Sequence, residues 1–160
     1  MRLLHIAILV SGLALAATAS AADITLKNAW MRPAPGGAPA ARAYVDIVSD
    51  TTVELVAAKT PVAKHVEIVR VPTIGDPASE KVVKSFTVLG GTTTRLAYLG
   101  DHLRLVGVTR DVANGDPVPL TLTFKDASGK RRDATTDVVV RGLLLPQQMP
   151  ESTRDAPPKK

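Results

Sequence analysis

The sequence predicts an all-β domain, an antiparallel sandwich or barrel, and three observations carry the expectation. Val118, Leu120, Leu122 and Phe124 alternate with Pro119, Thr121 and Thr123, a period of two that puts one set of side chains on an apolar face. Other short runs of strand-forming residues recur at similar spacing and are separated by turn chemistry. No stretch sustains the 3.6-residue helical period for ten residues.

The elements follow in order. Ile24 to Trp30 reads as the first strand, closed by Pro33-Ala34-Pro35-Gly36-Gly37. Ala43 to Val48 is the second, ended by Ser49-Asp50, and Val53 to Ala58 the third. His65 to Val71 precedes the turn Gly75-Asp76-Pro77, and Val82 to Val88 runs to Gly90-Gly91. Thr93 to Tyr98 and His102 to Val108 flank Gly100-Asp101. Asn114-Gly115-Asp116-Pro117 introduces Val118 to Phe124, and Ser128-Gly129 separates that strand from Ala134 to Arg141. Proline and glycine punctuate because one fixes φ and the other frees it. The count is about nine short strands, with no internal repeat.

The first 21 residues read as a signal peptide. Met1-Arg2 supplies a positive start, Leu3 to Leu15 is almost wholly apolar, and Ala19-Ser20-Ala21 has the A-x-A form of a cleavage site. A membrane anchor is the competing reading, but a spanning helix needs roughly 20 apolar residues. Export to a bacterial periplasm follows, with no stable membrane span after processing. Residues 22–142 form the domain, and residues 143–160, rich in Pro, Lys and Gln, read as a disordered tail.

Composition then excludes much. With no cysteine there is no disulfide, thiolate metal site or Cys nucleophile. Aromatic residues make up 3% of the chain, too few for the stacking platform of a single-strand nucleic-acid site. The net charge of +5 is scattered apart from Lys130-Arg131-Arg132, which either touches an anion or keeps a hairpin tip wet. No nucleic-acid partner is expected. No catalytic motif stands out, so the chain is not expected to be an enzyme.

Three segments carry a resemblance. Ala29-Trp30-Met31-Arg32-Pro33 followed by Ala43-Tyr44, the strand His102-Leu103-Arg104-Leu105-Val106-Gly107, and Gly115-Asp116 through Val118-Pro119-Leu120-Thr121-Leu122-Thr123-Phe124 resemble, in that order, the periplasmic copper chaperones called PCu(A)C. The resemblance covers roughly Ala22 to Arg141 and implies a cupredoxin-like Greek-key β-sandwich. It also implies copper as cargo, delivered as Cu(I) towards cytochrome oxidase through a copper-accepting or oxidase-assembly partner.

The family's ligands are two histidines and methionines ending in an H-x-M motif. Carried over, the first histidine falls on Val69, a nearby optional methionine on Val71, a further methionine near Val83, and the H-x-M pair on His102 and Arg104. Thioether sulfur suits soft Cu(I), and valine donates nothing. Arginine adds a like charge, a repulsion on the order of 4 kcal/mol at about 4 Å and an effective dielectric near 20. His102 is therefore the candidate metal residue, against a strand-end histidine hydrogen-bonded beside Asp101. His65 is a second candidate, but it lies four residues, or about 13 Å, from Val69 along a strand. A Cu(II) site from the amino terminus and one histidine stays open, and Met31 is either a strand residue or a donor. Two functions compete: an exported copper chaperone-like protein with most Cu(I) ligands replaced, and a non-metal-binding periplasmic accessory or protein-interaction module of the same fold.

Overall fold

The computed structural model describes residues 23–142; the expected signal peptide and the expected tail lie outside the described residues. Ten strands are present: β1 (Ile24–Met31), β2 (Ala40–Ser49), β3 (Val53–Lys59), β4 (Ala63–Arg70), β5 (Lys81–Val83), β6 (Phe86–Val88), β7 (Thr93–Leu96), β8 (His102–Val108), β9 (Pro117–Lys125) and β10 (Arg131–Val140). The only helical element among the described residues is a 3₁₀ turn at Pro77–Ser79, capped by the Asp76 carboxylate, which accepts from the Ala78 amide.

The strand expected over residues 82–88 is two strands. β5 pairs with β4 and β6 pairs with β3, with Lys84 and Ser85 between them. Those two edges terminate the hydrogen-bonded order β5-β4-β8-β2-β1-β10-β9-β3-β6. A two-residue link spans less than about 11 Å, so the sheet must curl until its ends meet. β2 is shared: Ala40 to Ala43 pair with β8, and Val45 to Val48 pair with β7. β1 lies parallel to β10 and antiparallel to β2, joining the first and last strands of a Greek-key sandwich. β7 stops at Leu96 rather than Tyr98, because a turn closes there: Ala97 N–H donates to Asp101 O, and Leu99 adopts φ 67°.

The interior follows the period of two. Val118, Leu120, Leu122 and Phe124 of β9 are all buried in one core with Ile47, Leu55, Leu103, Leu105 and Met31. Each such side chain contributes about 1.5–3 kcal/mol on burial. β1 reaches this pattern only through a bulge. Its register with β2 slips between Lys27 and Trp30, and Asn28 takes φ 51° while its side-chain amide donates to Asp46 at 2.8 Å. The extra residue resets the alternation so that Ala29 and Met31 enter the core and Trp30 turns outward.

Candidate functional site

The site lies on the outer face of the sheet, opposite the core. Leu103 and Leu105 point inward on β8, so His102 and Arg104 point outward, and β2 presents Arg42 and Tyr44 outward beside the inward Ala43 and Val45. Register then assembles two rows. Glu67, Arg104 and Arg42 are consecutive cross-strand partners on β4, β8 and β2. One step along, Val69 pairs with His102, and Tyr44 pairs with Trp30 on β1. The Tyr44 and His102 ring centroids are 6.4 Å apart, and those of Trp30 and Tyr44 4.5 Å.

His102 is only 2% exposed although it is not on the core face. With Tyr44, Val69 and Val71 it forms a buried patch separate from the main core, under the loop that carries Asp76, Pro77 and Glu80. His102 Nδ1 lies 2.8 Å from Gly100 O. A carbonyl only accepts, so Nδ1–H donates and Nε2 carries the lone pair. That Nε2 is buried with no hydrogen-bond partner from the protein. The ring lines a cavity of about 30 Å³, room for one water-sized ligand. Burial pushes the imidazole pKa below its ordinary 6.5, the Gly100 bond partly opposing, so the ring is neutral at pH 7.

Arg104 stands beside it in an ion-pair cluster. Its Nε donates to Glu67 at 2.8 Å, and its Nη1 is 3.5 Å from Glu80, whose other oxygen accepts from Arg42 Nη2 at 2.7 Å. Two acids thus offset two guanidiniums. Asp101, expected as the neighbour of His102, instead accepts from the Val71 amide at 2.7 Å and fixes the start of the covering loop.

The other sequence candidates scatter. His65 pairs with Val106, four residues from His102 along β8, or about 13 Å, and its nearest acid is Glu67 at 3.6 Å. The structure does not bring the two histidines together. Met31 is fully buried in the core and is no donor to this face. Val83 requires a correction. It pairs with Ile68, whose side chain is in the core, so it lies on the opposite face from His102; Val82 is the residue in line with Val69. The residue of that segment that reaches the site is Glu80. Among the described residues, no group of three His, Cys, Asp or Glu side chains is arranged around a common metal position.

Sequence reading missed Glu80, Arg42 and the Trp30–Tyr44 stack. Arg42 was within reach, since it is two residues from Tyr44 on a strand. Glu80 was not, because a loop delivers it.

Comparison with known proteins places these features. The LpqE-like family, described as lipoprotein LpqE-like, matches residues 24–138. The lipoprotein Lxx21020 of Leifsonia xyli subsp. xyli (strain CTCB07) is 28% identical over 106 residues, 66% of this chain, and the chain spans 64% of that relative's length. The copper-bound PCuAC domain of PmoF2 superimposes with TM-score 0.57 at 21% identity, covering 73% of this chain and 91% of that domain. Apo DR1885 of Deinococcus radiodurans is 26% identical with TM-score 0.54, over 88% and 95% of the two chains. Its Cu(I) form is 27% identical with TM-score 0.51, over 70% and 75%. With its family match running from β1 into β10 and a fold shared with copper-binding PCuAC domains, the chain belongs to the LpqE-like family.

Proposed function

We propose that this chain is an exported, non-catalytic periplasmic module built on the copper chaperone scaffold, and that it does not hold Cu(I) at the position of His102. The observation that carries the reading is the pairing around that residue. Val69 is its direct cross-strand partner, and Arg104, two residues on, is committed to Glu67 and Glu80. Because the two acids offset Arg104 and Arg42, the obstacle to a cation is less its charge than the lack of soft donors. One imidazole leaves Cu(I) to water or hard oxygens, which a thiophilic ion does not prefer. The residues present do not fit the metal.

Copper delivery to an oxidase-assembly partner is the second reading. One observation favours it, the buried and unpartnered Nε2 of His102, together with the copper-bound relatives. Export is supported by the lipoprotein name of the family and by the expected signal sequence. The 160 residues contain no cysteine, so no lipid is held through a thiol within them. Deleting the protein in its host separates the readings. Oxidase activity under copper limitation stays unchanged if the module carries no copper, and falls in a copper-rescuable way if it delivers it.

A further inference from the structure

The same face holds a second feature. In front of Tyr44 opens a cleft of about 550 Å³, lined by Arg32, Arg42, Arg104, Tyr44 and Tyr98, with small apolar residues between Pro33 and Ala41 completing the lining. That volume falls within the roughly 300–1,000 Å³ of small-ligand sites. Three guanidiniums line it and no carboxylate does. Glu67 and Glu80 hold Arg104 and Arg42, but neither acid reaches the lining.

Those ion pairs orient the two guanidiniums without exhausting them. Arg42 hydrogen-bonds Glu80 through Nη2 and Arg104 hydrogen-bonds Glu67 through Nε, which leaves the other N–H groups of both without a hydrogen-bond partner among the described residues. Arg32, exposed just after β1, makes no ion pair with the described residues. Arg42 and Arg104 are direct cross-strand partners, an arrangement of like charges that is unfavourable unless an anion answers it. Glu80 answers it from the side of His102, and no carboxylate lines the cleft. The wall of the cleft is aromatic: Tyr44 and Tyr98 pack edge to face with centroids 6.1 Å apart. Tyr98 is 43% exposed, so its ring is open to a ligand. Burial pushes the Tyr44 phenol pKa up, which keeps it a neutral donor.

We propose that this cleft binds a small organic anion, a carboxylate or phosphate group on an apolar or aromatic body. The guanidiniums would take the head group in bidentate hydrogen bonds, and the exposed Tyr98 ring, backed by Tyr44, would cover the body. This goes beyond the reading of the His102 position, and its test uses no copper, so the two stand or fall separately.

The test titrates phenyl phosphate, benzoate and inorganic phosphate into the purified protein at low ionic strength, followed by amide NMR shifts. Phenyl phosphate and benzoate give saturable shifts around Arg32, Arg42 and Tyr98, and inorganic phosphate binds more weakly because it lacks the body. Arg32→Gln weakens phenyl phosphate about tenfold, the loss of one charge-assisted contact, with an unchanged melting temperature. Lys130→Gln, at the remote β9–β10 turn, changes affinity less than about twofold. Non-saturable shifts with all three anions would overturn the proposal. So would equal losses in Arg32→Gln and Lys130→Gln, or equal affinity for phenyl phosphate and inorganic phosphate.

Discussion

Arg42 on β2 and Arg104 on β8 stand directly opposite each other, and the Glu80 carboxylate spans the pair, one oxygen 2.7 Å from Arg42 Nη2 and the other 3.5 Å from Arg104 Nη1. Glu80 arrives on the loop that closes over His102, so the two cations anchor that cover. Without the carboxylate, two like charges face each other and the loop loses its tether.

Glu80→Gln therefore lowers stability by about 1–2 kcal/mol, the range for a hydrogen bond to a charged group, trimmed because Arg42 is partly exposed and screened. Chemical denaturation measures it. Combining it with Arg42→Gln recovers part of the loss, since the opposed charges are then relieved. A neutral Glu80→Gln would mean that the loop is held by its apolar contacts alone.

His102 gives the fold an acid sensitivity of known sign. Burial holds its pKa below the ordinary 6.5 in the folded protein. As pH falls through about 6.5, the unfolded chain takes up a proton that the folded chain resists, so stability is lost below that value and is intact above it. His102→Leu removes this contribution. The stability difference between variant and wild type shifts in favour of the variant between about pH 7.5 and about pH 5. A difference independent of pH would contradict the assignment.

The β9 alternation makes a packing prediction. Leu122 is fully buried and Lys125 is exposed on the same strand. Leu122→Ala costs about 2–5 kcal/mol, whereas Lys125→Ala stays within about 0.5 kcal/mol, as read from urea midpoints. Comparable losses at the two positions would place the core elsewhere.

What sequence could tell depended on how local each feature was. The alternation of Val118 to Phe124 and the face shared by His102 and Arg104 rest on a period of two and were legible. The break at Lys84-Ser85 was not, because joining two distant edges is a property of the closed sheet. The Asn28 bulge likewise resets parity in a way no composition signals. Val83 was misplaced for a related reason: a loop of uncertain length precedes it, and a one-residue slip moves a side chain to the other face. Glu80 reaches its two arginines only through tertiary contact.

That slip has its own test. Val69→His with Arg104→Met puts two donors beside His102, and adding Val83→Met contributes nothing, because Val83 faces the core side with Ile68. The double and triple variants show the same Cu(I) affinity, and the triple is the less stable of the two. A gain in affinity from Val83→Met alone would show that the β4–β5 register differs in solution.

The central claim is met most directly by Cu(I) competition between the wild-type protein and a chromogenic chelator, with His102→Ala alongside. The account predicts that the chelator keeps the metal with either protein present. Stoichiometric Cu(I) binding by the wild type, abolished by His102→Ala, would contradict it.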